Sequence, residues 1–343
     1  MSLDNTSAPK IKRSSAGAKL SLNRLLAARE AGVFIALILM VIFLSLTTDA
    51  FFSSRNLLNI GRQIALIGIM AVGMTFVLIS GEVDLSIGSI YATSGILTGI
   101  LLVNQWDLIP ALAVGLVVGA AIGAVNGVLS TYGRLPSFIT TLGMMSIVRG
   151  AALLVTNGDP VTINEKSGAN PATLEQFYFL GQANLFRQIP MQLVFFIIIA
   201  VLGWILLSFM TYGFRVYAVG GGLKAARVSG INVFGVKIWA FVIMGLLSGF
   251  AGILSLAFLP SGQAGRTGVG LELDVIAATI IGGASLSGGE GTILGTVLGV
   301  LIIGVLRNGL ILLGISPFWQ TTIIGLVIII AVAIDKWTAS RRN

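Results

Sequence analysis

Two carboxylates, Glu82 and Asp84, lie one residue apart between apolar stretches, within Gly81–Ser89. Acidic groups at membrane depth are costly, and they are usually retained for function. Two interpretations are open. The carboxylates either line a path through the bilayer, or they are solvated in a turn where Asp84 and Ser86 cap a helix. The small residues that follow, among them Gly88, allow another helix to approach closely.

A second group of small and acidic residues occupies Gly268–Gly291. It carries the acids Glu272 and Asp274, and dense glycine lets the chain bend or pack closely. Within it, Leu286–Glu290 resembles the signature motif of ATP-binding-cassette ATPases. The chain has no G-x-x-x-x-G-K-[ST] loop to hold phosphates, so we reject a nucleotide site. The candidate glycines of this group are Gly282, Gly283, Gly288 and Gly289.

A third stretch, Tyr217–Asn232, is polar and lies between apolar runs. Its centre can form a short helix with glycine at both ends. Such a helix outside the bilayer suits docking into a groove of a partner protein, whereas an ordinary basic loop is the alternative. The candidate residues are Gly220, Gly221, Gly222, Leu223, Lys224, Ala225, Ala226, Arg227 and Gly230.

Two arginines, Arg149 and Arg307, fall late in apolar runs. Each has a side chain long enough to extend toward the outer surface, or to pair with an acid inside the protein. We expect extension toward the surface for both.

The chain contains no histidine and no cysteine. Histidine-dependent triads, histidine-dependent metallohydrolases, thiolate nucleophiles, thiolate metal sites and disulfides are therefore excluded. We expect the chain to be no enzyme and to bind no metal or cofactor.

The composition requires a membrane. Of 343 residues, 56% are hydrophobic and 10% are charged, whereas soluble domains carry about 25% charged residues. Because a crossing needs ~20 apolar residues in a helix, we predict an all-α polytopic protein with about ten transmembrane or re-entrant helices. One of the ten apolar runs, 274–286, is short, and we expect it to be a partial span or a re-entrant segment. The predicted runs are 31–48, 60–80, 86–103, 109–131, 138–156, 191–211, 236–258, 274–286, 291–313 and 318–335.

The distribution of basic residues predicts the orientation. The net charge is +8, and most lysines and arginines fall on segments that are cytoplasmic if the N-terminus is cytoplasmic. We therefore expect both termini inside, an external insert at 157–189 and a cytoplasmic loop at 212–235. A basic tail at 1–29, which we expect to be disordered because of its polar composition, precedes a single membrane domain at 30–338, and a short tail follows at 339–343. Because the lysines and arginines flank apolar spans, where they set the orientation of the protein, they do not indicate nucleic acid as a partner.

A short internal repeat accompanies this pattern. Glu82–Leu85 and Glu272–Val275 share the order acid, apolar, Asp, apolar, and they lie about half the chain apart. With five spans in each half, the second half would be inverted relative to the first, an arrangement common in transporters. We therefore predict a five-plus-five inverted repeat.

Four stretches together resemble the permease subunits of bacterial ABC importers for ribose, xylose, galactose and related monosaccharides. They are 81–89, 132–150, 217–233 and 268–299. The resemblance runs from about residue 31 to the C-terminus, and it does not identify one sugar.

The resemblance implies a bacterial inner-membrane permease that forms a homodimer around a central pathway, in contact with membrane lipid. Cytoplasmic ABC ATPase subunits would bind ATP with Mg²⁺, and an extracytoplasmic sugar-binding protein would deliver substrate. It also implies that Gly220–Asn232 is the coupling loop that contacts the ATPase. Gly81–Ser89 and Leu271–Gly283 would be signature elements near the pathway.

Two alternatives remain. The substrate could be an autoinducer-2-like signal or a branched-chain amino acid, which related permeases carry. The chain could also be an ion-coupled secondary sugar transporter that uses Glu82 or Asp84 as its coupling carboxylate.

Overall fold

The computed structural model describes residues 29–340. The tail predicted at 1–29 lies outside the described residues except for Arg29, where the first helix begins. Of the C-terminal tail predicted at 339–343, the last three residues also lie outside, and the final helix extends to Ser340.

Thirteen α-helices make up most of the described part of the chain. They are α1 (Arg29–Thr47), α2 (Ser54–Ile79), α3 (Ile87–Val103), α4 (Leu108–Thr131), α5 (Ser137–Thr156), α6 (Pro171–Gln182), α7 (Met191–Ser208), α8 (Thr211–Gly221), α9 (Leu223–Val228), α10 (Val233–Phe258), α11 (Leu271–Ile281), α12 (Ile293–Leu312) and α13 (Pro317–Ser340).

Two small antiparallel strand pairs accompany the helices. Strand β1 (Val161–Thr162) pairs with β4 (Ser261–Gly262), with Val161 opposite Gly262. Strand β2 (Asn184–Leu185) pairs with β3 (Ile189–Pro190). The first pair joins the insert after α5 to the segment after α10, so the insert is anchored to the membrane domain.

The predicted all-α polytopic class is confirmed. Each of the ten apolar runs coincides with a helix, and α2, α4, α5, α7, α10 and α12 are long and apolar enough to cross a membrane. The short run predicted at 274–286 corresponds to α11. Its 11 residues extend about 16 Å, roughly half of a ~30 Å hydrocarbon core. Helix α11 is therefore a partial span.

Helices α2 and α10 form the buried centre, and small residues let α4 pack directly against α10. A Cβ atom on Gly123 would overlap the carbonyl oxygen of Phe241, and one on Gly245 would overlap that of Gly119. Because lipid tails are as apolar as leucine, helices in a membrane associate through such close backbone packing. The glycines of α4 and α10 are thus required by the contact itself.

Polar side chains join α2 to α12 inside the bundle. Asn56 and Asn308 exchange two amide hydrogen bonds of 3.0 and 2.7 Å, and the hydroxyls of Thr75 and Thr296 lie 2.7 Å apart. All four residues are buried. These bonds give the buried amide and hydroxyl groups hydrogen-bond partners that lipid hydrocarbon cannot supply, and they fix the register of the two helices.

The order of helix lengths agrees with a duplicated architecture. Helices α2 and α10 have 26 residues each. Each is followed by a shorter helix, α3 or α11, and then by a longer one, α4 or α12. The inversion of one half relative to the other stays a prediction.

Candidate functional site

Two helices begin beside each other, and both begin at candidate residues from the sequence. Helix α3 starts at Ile87, after the non-helical stretch 81–86, and α11 starts at Leu271. A Cβ atom on Gly88 would overlap the carbonyl oxygen of Gly268 and would lie 2.7 Å from Oε2 of Glu272. The structure therefore brings together Gly88 and Glu272, which belong to separate stretches of the sequence.

Asp84 is fully buried, so the interpretation that it is solvated in a turn is wrong. Its Oδ1 accepts hydrogen bonds from the backbone N–H of Ser86 at 2.8 Å and from the Ser86 hydroxyl at 2.6 Å. The Asn126 amide on α4 donates to the Ser86 hydroxyl at 2.8 Å. Ser86 precedes α3 but makes no side-chain cap bond. The carboxylate therefore organises the turn before α3 and ties it to α4.

The stretch before α3 also rests on α5. The Ser137 hydroxyl accepts from the N–H of Val83 at 3.3 Å, and the Thr141 hydroxyl donates to its carbonyl at 3.4 Å. One turn into α3, the Ser89 hydroxyl donates to the carbonyl of Met145 at 2.7 Å. The first candidate segment is therefore held by α4 and α5 together.

Glu82 forms an ion pair with Lys237 on α10. Both side chains are mostly buried, with 13% and 12% of their surfaces exposed. The expectation of a solvated carboxylate is therefore wrong for Glu82 as well. A buried acid needs a partner because water no longer stabilises its charge, and α10 supplies that partner.

All three candidate stretches meet at the C-terminal end of α2. The N–H of Gly289 donates to the carbonyl oxygen of Ile79 at 2.8 Å, and a Cβ atom on Gly220 would overlap that same oxygen. A Cβ atom on Gly288 would lie 3.0 Å from both the Gly220 oxygen and the Gly81 Cα. We call this contact of residues 79–81, 220–221 and 288–289 the glycine junction.

Backbone conformation gives the junction a second reason for glycine. Gly81, Gly288 and Gly289 have φ angles of +80°, +83° and +76°, a region that other residues rarely adopt. The Tyr217 hydroxyl reinforces the contact by donating to the Gly291 carbonyl at 2.6 Å. Burial raises the pKa of Tyr217, so the hydroxyl keeps the proton that it donates.

Helix α9 matches the short helix predicted within the third stretch. It covers Leu223–Val228, and Gly230 beyond it has a φ of +78°. Ala226 faces the protein, whereas Lys224, Ala225 and Arg227 are exposed. The Arg227 guanidinium lies 5.5 Å from the centre of the Phe234 ring. Helix α9 thus has an exposed, basic face immediately after the glycine junction.

Helices α11 and α12 are in close contact at the other end of the second stretch. A Cβ atom on Gly282 would overlap the carbonyl oxygen of Gly295, and one on Gly299 would overlap that of Ala278. Gly283 has a φ of +97°. The candidate glycines of this stretch therefore serve helix packing and the turn that leads to the junction.

Both arginines in apolar runs bond inside the protein, so the expectation that they extend to the surface is wrong. Arg307 pairs with Asp274 at 2.6 Å. Arg149 donates to the carbonyl oxygens of Ala264 and Thr267 at 2.6 and 2.9 Å. Their partners are distant in sequence. Because each arginine bonds inside the protein, its charge does not have to face the lipid hydrocarbon.

Sequence reasoning missed Asn126 and Lys237. Both had a visible signal, since each is a polar residue within or beside an apolar run. Within residues 29–340, no three acidic side chains converge where a metal could bind. In the part of the chain that the structure describes, the candidate residues hold helix ends and turns in contact.

Comparisons with known proteins identify the family of the chain. A family model described as branched-chain amino acid transport system / permease component matches residues 56–332. The ribose import permease protein RbsC of Bacillus subtilis is 42% identical over 311 residues, which cover 90% of this chain and 93% of that protein.

Two further relatives match over similar lengths. The Escherichia coli K12 ribose import permease protein RbsC is 40% identical, covering 90% of this chain and 94% of that protein. The L-arabinose ABC transporter permease protein AraH of Azospirillum brasilense is 38% identical, covering 92% and 89%. No solved structure matches significantly. The long apolar helices and these matches indicate a multi-pass inner-membrane protein, and the chain belongs to the branched-chain amino acid transport system permease family.

Proposed function

We propose that this chain is the permease subunit of an ATP-driven ABC importer for a monosaccharide, a ribose-like pentose or a hexose. The observation that carries the proposal is the similarity, over about nine tenths of the chain, to permeases named for ribose and L-arabinose. The permease performs no bond chemistry and supplies a gated pathway.

The pairing of buried charges supports a neutral substrate. Glu82 is paired with Lys237 and Asp274 with Arg307. Arg149 bonds to backbone carbonyls, and Asp84 accepts hydrogen bonds from Ser86. A zwitterionic amino acid would require a charged partner or a helix end in the pathway; these charges are already bonded, which leaves only the starts of α3 and α11. A sugar hydroxyl requires only hydrogen bonds. This favours a monosaccharide over the branched-chain amino acid that the family description names.

The glycine junction supports an indirect drive by a separate ATPase. In the proposed mechanism, the ATPase binds ATP with Mg²⁺ and docks against α9, whose exposed cations lie next to Gly220 and Gly221. A shift of α8 and α9 then moves the end of α2 and the turn after α11 together, because their backbones are in contact. The ATPase acts by favouring one permease conformation over another.

The proposed assembly contains two copies of this chain and an extracytoplasmic sugar-binding protein. Both termini and 212–235 face the cytoplasm, and the binding protein docks on the external insert at 157–189. The insert suits this role because α6 gives it a defined structure and the β1–β4 pair anchors it to the membrane domain.

Reconstitution tests the proposal. Proteoliposomes containing the permease, the ATPase and the binding protein are expected to take up radiolabelled ribose or arabinose only with ATP, and to ignore leucine. Accumulation by the permease alone under a proton or sodium gradient would support the ion-coupled alternative. Uptake of leucine instead of sugar would support the amino-acid alternative.

A further inference from the structure

A cavity of about 530 Å³ opens beside helix α9, at the end of the bundle that carries the glycine junction. Four parts of the chain form its walls: the connection between α4 and α5 with the adjoining helix turns, helix α9, the first turns of α10, and Glu82 before α3. We call it the basal cavity. The proposed mechanism uses α9, one of its walls, but assigns no ligand to the cavity itself.

The charges that line the basal cavity favour an anion. Arg134, Arg227 and Lys237 face it together with a single carboxylate, Glu82. That carboxylate is already paired with Lys237. Among the side chains that the structure describes, neither Arg134 nor Arg227 has an ion-pair partner. The cavity therefore has two uncompensated guanidinium groups, which suit the planar, multiple hydrogen bonding of a phosphate.

The lining also offers a hydrogen-bond donor without a partner. The Ser130 hydroxyl, on the last turn of α4, is buried and has no hydrogen-bond partner within the described chain. It belongs to the same cavity wall as Arg134. A phosphate oxygen at this place would satisfy it.

The remaining lining is mostly apolar, apart from Thr131 and Ser137, and it continues onto exposed apolar side chains of the helices. Leu135 and Phe234 line the cavity, and the exposed side chains of Phe138 and Ile139 continue from it along α5. Trp239 on α10 is also exposed, as expected for an aromatic residue at a membrane interface. A ligand with a phosphate and a hydrocarbon chain would contact both the basic cavity and the apolar surface beside it, whereas a small soluble anion would contact only the basic cavity.

We propose that the basal cavity binds the phosphate headgroup of an anionic phospholipid, with the acyl chains lying against α5. Basic pockets between membrane helices on the cytoplasmic side are suited to such headgroups. Because Arg227 belongs to α9, the bound lipid would hold α9 against α4 and α10. The inference goes beyond the proposed function, since lipid binding can be measured without transport.

The test uses the full-length protein in nanodiscs of phosphatidylcholine that contain increasing fractions of phosphatidylglycerol, with bound lipid counted by native mass spectrometry. Arg134→Gln combined with Arg227→Gln is expected to weaken phosphatidylglycerol retention about 25-fold, because each cation near such a headgroup contributes ~1 kcal/mol, or about fivefold. The control, Arg215→Gln combined with Lys224→Gln, removes the same charge from residues that do not line the cavity. It is expected to retain the lipid.

Three outcomes would overturn the inference. Equal loss of lipid in both double variants would mean a general attraction of anionic lipid to the basic surface. Displacement of the bound lipid by millimolar glycerol 3-phosphate would identify a soluble phosphate ester as the ligand. Complete release of the lipid when the ATPase subunit binds would identify the cavity as a protein docking site. Retention in the presence of either competitor would support the lipid.

Discussion

Replacement of Gly220 by alanine tests whether the glycine junction couples α8 and α9 to the membrane helices. The added Cβ atom would overlap the carbonyl oxygen of Ile79 and would lie 2.5 Å from the backbone nitrogen of Gly289. It therefore separates the two atoms that form the 2.8 Å hydrogen bond between these residues. Both the packing and the bond must change.

The magnitude follows from these two effects. A buried backbone group left without its hydrogen bond costs about 1–3 kcal/mol, and an extra carbon in a closely packed contact costs about 1–3 kcal/mol. The Gly220→Ala protein is expected to be destabilised by about 2–6 kcal/mol. At about 1.4 kcal/mol per factor of ten, a conformational change that depends on the junction shifts about tenfold for each 1.4 kcal/mol by which this cost differs between the two conformations.

Gly221→Ala is the matched control. A Cβ atom on Gly221 meets nothing within 4 Å, and alanine is the better helix former. The assays are the thermal unfolding midpoint of the purified permease and sugar-stimulated ATP hydrolysis in the complete transporter. If Gly220→Ala matched Gly221→Ala in both assays, the junction would have neither a packing nor a coupling role.

Three further predictions concern packing and charge. Arg307→Leu should destabilise the protein by up to about 3 kcal/mol. The loss is smaller than for a fully buried ion pair because a third of the Arg307 side chain is exposed. Adding Asp274→Leu should restore part of the thermal midpoint, and no recovery would contradict the pairing. Gly123→Ala should reduce the free energy of unfolding by about 1–3 kcal/mol and so lower the thermal midpoint. Gly143→Ala should not, because a Cβ atom there meets nothing within 4 Å. Equal effects of the two substitutions would contradict the close contact of α4 and α10. Lys224→Glu, on the exposed face of α9, should reduce co-purification of the ATPase about fivefold while the permease stays inserted, and unchanged co-purification would count against α9 as the docking element.

Helix α2 connects the glycine junction to α12. Its C-terminal carbonyl contacts the glycine junction, and along its length Asn56 and Thr75 bond to α12. In the proposed mechanism, a displacement at the junction would therefore pass through α2 to α12, the helix that packs against α11. A packed helix moves as a unit because its neighbours leave few alternative arrangements.

The all-α class and the positions of the apolar helices follow from the sequence alone. Bilayer thickness fixes the length of an apolar run, and the hydrocarbon allows only internally bonded backbone. The run at 274–286 is recognisable as short for the same reason. Glycine on both sides of Leu223–Val228 marks α9, since glycine ends helices. These are local properties, and local properties can be read from one chain.

Only the tertiary structure decides which groups meet. Arg307 reaches Asp274 and Glu82 reaches Lys237 because distant helices lie side by side, and no local pattern encodes those pairs. Gly220 lies at the end of helix α8 and Gly289 lies in a bend of the chain, and their contact with Ile79 arises only when three segments converge. In a membrane an unpaired charge is costly, so the fold, and not the position of a residue along its run, determines whether that residue faces lipid or a partner.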